Sequence, residues 1–129
     1  MLKKDITYTD YNGQERTDSF YFNMSKAELA EMQLTLDGGF EAYIQNIIDA
    51  KDGATMVKLF KDIILMSYGE KSLDGKRFVK NEEVRDGFAQ TEAYSVLFME
   101  LISDDKAAAE FINGILPSDL QEQLQLVTK

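Results

Sequence analysis

The chain contains neither cysteine nor histidine. Without cysteine there is no thiol nucleophile and no thiolate metal site, and nothing calls for an oxidising compartment. Without histidine, the usual general base near neutral pH, the serine–histidine and cysteine–histidine nucleophile systems and the commonest zinc ligand all drop out. Carboxylates are the one catalytic resource left. The obvious pairs, Glu82-Glu83 and Asp104-Asp105, stand where acidic side chains favour a helix N-terminus, so capping is preferred to glycosidase chemistry.

Long apolar runs are missing as well. No segment reaches the length needed to cross a bilayer, and Met1-Leu2-Lys3-Lys4-Asp5 leads into polar, strand-like sequence rather than an apolar leader. A cytoplasmic protein with no membrane association is the expectation. Basic residues are scarce relative to acidic ones, 14 against 23, for a net charge of −9. That field repels phosphate backbones and argues against a nucleic-acid partner. The charge is uneven: residues 1–26 are neutral, 27–53 sum to −5, 54–80 to +3 and 81–129 to −7. A basic middle between acidic flanks suits a protein partner of mixed charge.

Metal and anion motifs are equally thin. Neither Asp49 to Gly53 nor Asp74 to Glu82 has the ligand spacing of a calcium loop, and Gly38-Gly39 lacks a phosphate-loop pattern and a nearby lysine. No cofactor or metal is expected.

What is present describes a fold. Asn12-Gly13 lies between runs rich in Thr, Tyr and Phe, a hairpin signal. A two-residue turn would put Ile6 and Tyr8 on the opposite face from Phe20 and Phe22. A three-residue loop, Tyr11-Asn12-Gly13 with Gly13 left-handed, pairs Asp10 with Gln14 and gathers Leu2, Ile6, Tyr8, Phe20 and Phe22 on one face. That register is predicted.

Helices should cover this face. Ser25 to Glu28 is a capping-box signature opening a helix with Leu29, Met32 and Leu36, ended by Asp37-Gly38-Gly39; the alternation of Met32, Leu34 and Leu36 leaves an extended last turn open. Phe40, Tyr43, Ile44, Ile47 and Ile48 mark a second helix, closed by Asp52-Gly53. Met56, Val57, Phe60, Ile63, Ile64, Ser67 and Tyr68 mark a central third, with Gly69 as its stop.

Residues 70–80 read as a loop or short hairpin carrying Lys71, Lys76, Arg77 and Lys80. Asn81 caps a brief helix ending near Gly87. Thr91 caps a helix with Tyr94, Leu97, Phe98, Leu101 and Ile102, and Asp104 caps one with Ala108, Phe111, Ile112, Ile115 and Leu116, ended by Pro117. A final helix from Ser118, with Leu120, Leu124 and Val127, is prone to fray because of its Gln-rich side and terminal position.

The 129 residues, 44% apolar, thus suit a single domain, 1–129, of α+β class and mostly α. It comprises an N-terminal β-hairpin (2–24) packed on a bundle of about six helices (25–117), then the mobile C-terminal helix (118–129).

Two helices are apolar beyond one stripe, through Leu59, Leu65 and Met66 in the third and Val96 and Met99 in the Tyr94 helix. The six methionines are adaptable at surfaces that meet varied partners, although core filling is the commoner role for any one of them. A partner-binding set follows: Leu59, Met66, Val96 and Met99 for apolar docking, with Lys76, Arg77 and Lys80 for acidic stretches of the partner.

Seven segments carry a resemblance. They are Ile6-Thr7-Tyr8-Thr9-Asp10-Tyr11-Asn12-Gly13, Lys26-Ala27-Glu28-Leu29, Asp37-Gly38-Gly39, Ser67-Tyr68-Gly69-Glu70-Lys71-Ser72, Asp74-Gly75-Lys76-Arg77-Phe78, Gln90-Thr91-Glu92-Ala93-Tyr94 and Ala109-Glu110-Phe111-Ile112-Asn113-Gly114-Ile115. In order and spacing, over about residues 5 to 117, the chain resembles tail assembly chaperones of long-tailed, siphovirus-type phages and prophages of Gram-positive bacteria.

The resemblance implies a non-enzymatic protein that holds the tape-measure protein soluble while tail-tube subunits polymerise, and that is absent from the finished virion. It also implies a longer frameshifted form of the chain; the tail tube protein, that longer form and further copies of the chain itself, in a homo-oligomer, are the additional partners to be expected. Two rival readings stand beside it: a structural tail or tail-completion protein of the virion, and an acidic host-directed regulatory binding protein.

Overall fold

The hairpin register fixes the molecule's first face. In the computed structural model, which describes residues 1–35, 38–49 and 52–117, β1 (Leu2–Thr9) pairs antiparallel with β2 (Glu15–Phe22), from Leu2 opposite Phe22 to Thr9 opposite Glu15. The expected three-residue loop joins them. Asp10 N–H donates to Gln14 O at 2.8 Å, Gly13 N–H donates to Asp10 O at 2.9 Å, and Gly13 has φ 82°. The Asp10 carboxylate accepts from the Asn12 and Gln14 amides, closing a turn that only a left-handed residue completes. Ile6 and Phe22 are buried, and Leu2, Tyr8 and Phe20 pack against the core beside them.

The sheet then grows beyond the expected hairpin. β3 (Tyr68–Lys71) pairs with the end of β2 through Tyr21 opposite Gly69 and Phe22 opposite Tyr68, and β4 (Phe78–Val79) pairs with β3, giving the order β1-β2-β3-β4.

Six helices among the described residues complete an α+β fold: α1 (Lys26–Thr35), α2 (Gly39–Asp49), α3 (Gly53–Ser67), α4 (Glu82–Ala89), α5 (Glu92–Ser103) and α6 (Asp105–Ile115). Their starts are chemically explicit. The Ser25 amide donates to the Glu28 carboxylate at 2.9 Å and the Glu28 amide to Ser25 Oγ at 3.1 Å, a reciprocal capping box. Asn81 accepts from Val84 N–H, Thr91 from Tyr94 N–H, and Asp104 from the Lys106 and Ala107 amides.

Three boundaries differ from expectation. Asp52 and Gly53 do not close α2: Asp52 is the N-cap of α3, accepting from Ala54 N–H, and Gly53 is its first residue. Gly87 lies inside α4, which runs on to Ala89. Gly69 does not stop α3. The helix ends at Ser67, whose buried hydroxyl donates to the Ile63 and Ile64 carbonyls, and the chain passes directly into β3. Gly69 is needed for close approach, since a Cβ there would stand 2.6 Å from the Phe78 ring.

α1 stays helical through Thr35 rather than becoming extended. The readings placed on Leu36, Asp37, the side chains of Phe40 and Ile48, and the helix from Ser118 through Leu120, Leu124 and Val127 lie outside the described residues.

The core sits between the sheet's inner face and α3, α5 and α6. Phe22, Ile63, Ile64, Leu97, Leu101, Phe111 and Ile115 are almost wholly buried, each contributing on the order of 1.5–3 kcal/mol by removal from water. Phe22 meets Phe88 and Phe111 edge-on, with ring centroids 5.7 and 5.2 Å apart. Met24 N–H donates to Ile115 O at 2.8 Å, fastening the end of the hairpin to α6.

Candidate functional site

The apolar surplus of α3 is mostly absorbed by the fold. Leu59, Leu65 and Met66 are partly buried and packed against the core. Leu59 and Met66, seven positions apart, share one flank of the helix with Asp62 between them. Leu59 O accepts from the Tyr43 hydroxyl at 3.3 Å.

On α5 the buried stripe is Ala93, Leu97 and Leu101. Tyr94 and Phe98 stack on the flank beside it with centroids 5.9 Å apart. Burial and then the nearby Asp62 carboxylate of α3 raise the Tyr94 phenol above its ordinary pKa. Val96, two positions on, turns roughly 200° away from Tyr94. It is 43% exposed and Met99 is 56% exposed. Of the four apolar residues of the expected docking set, Leu59 and Met66 are thus partly buried on α3, whereas Val96 and Met99 are exposed on α5.

The three cations also separate. Lys76 and Arg77 are exposed on the turn between β3 and β4, where Gly75 has φ 74° and Asp74 accepts from the Ser72 hydroxyl and the Lys76 amide. Leu73, fully exposed on the same turn, puts an apolar side chain beside them.

Lys80 instead turns inward. Its amine donates to Glu28 Oε2 at 2.6 Å and to Asn23 O at 2.6 Å, with Met24 Sδ at 3.9 Å. Burial pushes the Lys80 ammonium below its ordinary pKa, partly opposed by Glu28. For Glu28, burial acts to raise the carboxyl, but the Lys80 hydrogen bond and the Ser25 amide outweigh it and leave it below the usual value.

A cleft that sequence reasoning missed opens between the sheet and α4. Its volume is about 370 Å³, and Phe20, Tyr68 and Phe88 form its aromatic wall, with Glu70 and Glu83 at the rim and Val84, Gly87 and Thr91 lining the side of α4. Tyr68 and Phe88 stack at 4.1 Å and 11°. Burial, then Glu70, pushes the Tyr68 phenol up to about 12. The rings come from β2, β3 and α4, and the pairing of β3 with β2 together with the packing of Phe88 on Phe20 and Tyr68 brings them together.

Chemically the surface offers exposed apolar side chains, a cationic turn and an acid-rimmed aromatic cleft, which are elements of recognition. Among the described residues no group of acidic side chains has metal-holding geometry, and no helix is long and apolar enough to cross a membrane. A family model described as phage tail assembly chaperone matches residues 1–127. No curated protein and no solved structure matches the chain.

Proposed function

The chain belongs to the phage tail assembly chaperone family, and from that premise we propose that it binds the tape-measure protein and keeps it soluble while the tail tube assembles. The family match across residues 1–127 carries this reading. A chaperone of this kind is non-enzymatic, acts in the host bacterial cytoplasm of a siphovirus-type phage and leaves before the virion is finished. The tail tube protein and a longer frameshifted form of the chain are its further partners.

The physical mechanism is holdase binding. A net charge of −9 keeps a complex in solution, while exposed apolar side chains mask amphipathic segments of a long partner. The exposed Val96 and Met99 supply this apolar contact, and Leu59 and Met66 add the part of their side chains that the core leaves uncovered. Lys76 and Arg77, with Leu73 beside them, engage acidic stretches, and Lys80 contributes by anchoring the base of their turn.

Co-expression with the tape-measure protein of the same phage tests the reading. Co-purification of a soluble complex supports it, and an insoluble partner with no complex overturns it. Mass spectrometry of purified virions tests the rival reading as a structural component, which requires the chain to persist in the particle.

A further inference from the structure

The cleft between the sheet and α4 takes no part in the contacts above, and two observations single it out. The first is Gly87, which lies inside α4, where glycine is a poor helix former. Its φ is not positive, and a Cβ built on it meets nothing within 4 Å. Neither backbone conformation nor close packing calls for a glycine there, and the room left by its missing side chain opens onto the cleft.

The second is charge. Glu70 and Glu83 stand at the rim, and no cationic side chain is among the described residues that line the cleft. Among the described residues neither carboxylate has a cation within salt-bridge distance, and Glu70 receives one long contact, from the Tyr68 hydroxyl at 3.5 Å. Strand alternation keeps the charges apart. Glu70 faces the cleft, whereas its neighbour Lys71 lies on the sheet's other face with its amine 4.4 Å over the Tyr21 ring.

The cleft thus joins the aromatic wall of Phe20, Tyr68 and Phe88 to two exposed carboxylates. That combination suits a side chain with a long apolar stem and a cationic head. Arginine suits it better than lysine, because the planar guanidinium stacks on aromatic rings and its fork of donors pairs with carboxylates. A volume of about 370 Å³ is at the small end of binding cavities, the scale of a side chain rather than of a helix.

We propose that the cleft receives an arginine of the tape-measure protein, its stem against the aromatic wall and its guanidinium at the Glu70 and Glu83 carboxylates. The choice of partner rests on the functional reading above, whereas the chemistry of the cleft stands on its own.

Two probes test it. In the first, amide shifts of the intact chain are followed by NMR as the acetylated, amidated tripeptide alanine-arginine-alanine is added to about 10 mM, a range that reaches weak binding. Saturable shifts at Val84, Gly87 and Thr91 are expected, with binding about tenfold weaker when citrulline, uncharged and similar in shape, replaces arginine. No shift at these residues, or binding of the citrulline or lysine peptide as tight as that of the arginine peptide, overturns the proposal. Gly87→Leu fills the cleft from α4 and, as the better helix former, should hold or raise the melting temperature. It should abolish the shifts at Val84 and Thr91, and Glu70→Gln with Glu83→Gln should weaken peptide binding about tenfold. A folded Gly87→Leu chain that binds the arginine peptide as before contradicts the proposal; should that variant not fold, the carboxamide pair decides in its place.

The second probe is the tape-measure protein of the same phage, whose affinity Gly87→Leu should lower at least tenfold. Unchanged affinity of the folded variant overturns the choice of partner. If the unaltered chain fails to bind the tape-measure protein at all, it is the functional reading that falls, and the peptide titration alone judges the cleft.

Discussion

Lys80 reaches across 52 positions of sequence to place its amine 2.6 Å from the Glu28 carboxylate, tying the end of β4 to the capping box of α1. A basic residue in a basic loop thus serves the fold. Replacing it by alanine leaves the Glu28 carboxylate and the Asn23 carbonyl without this donor in a partly buried setting. Lys80→Ala should cost about 2 kcal/mol in urea unfolding. Unchanged stability would show that the contact is a bystander.

Lys76 and Arg77 behave differently, since both are exposed on the turn. Charge reversal of the pair, Lys76→Glu with Arg77→Glu, should change stability by less than about 0.5 kcal/mol. If the turn meets acidic stretches of the tape-measure protein, the same change should lower affinity about tenfold or more. Equal binding by the folded variant removes the turn from the contact set.

Gly69 packs against Phe78 too closely for any side chain, with a built Cβ 2.6 Å from the ring. Gly69→Ala should destabilise by roughly 1–3 kcal/mol, because the ring must move or β3 must leave β2. A thermal melt measures this. Gly13→Ala tests a separate cause, left-handed strain at φ 82°, and should cost roughly 1–2 kcal/mol with the space around it open.

Stability should fall in acid and in alkali for separate reasons. Asp18, Asp52 and Asp74 lie below the ordinary carboxylate value because the Tyr8, Thr55 and Ser72 hydroxyls respectively donate to them. Glu28 is held down chiefly by Lys80 against the effect of burial. Carboxyls depressed on folding contribute stability that is present above their unfolded pKa, about 4, and is lost as pH falls through the lower folded value. Tyr68 runs the other way, pushed up to about 12 by burial and Glu70. Its contribution is complete below pH about 10 and disappears as pH rises toward 12. Tyrosinate absorbance should show late-titrating phenols that are released together on alkaline unfolding, and Tyr68→Phe should diminish that late step.

Much of this architecture was legible because it is local. Parity alone distinguished the three-residue hairpin loop from a two-residue one, since Ile6 and Phe22 had to share a face. Ser25 with Glu28, Asn81, Thr91 and Asp104 announced helix starts through side chains acting within three residues. The joining of β3 and β4 to the hairpin was not legible. Tyr68 to Lys71 is short and half polar, and its pairing with Tyr21 and Phe22 is distant in sequence, so nothing local reports it.

The candidate contacts divide along the same line. The exposure of Val96 and Met99 agrees with the outer side of a helix whose buried stripe is Ala93, Leu97 and Leu101. The inward turn of Lys80 depends on groups from β2 and α1, and the cleft wall of Phe20, Tyr68 and Phe88 on tertiary pairing, so neither showed in the sequence.

Light scattering tests the central claim most directly. Tape-measure protein of the same phage is diluted from denaturant into buffer with and without the purified chain. The holdase account predicts that scattering falls in proportion to added chain until a fixed stoichiometry is reached, with a soluble complex recovered on gel filtration. Aggregation that proceeds at the same rate and extent at every ratio, with no complex recovered, would contradict it.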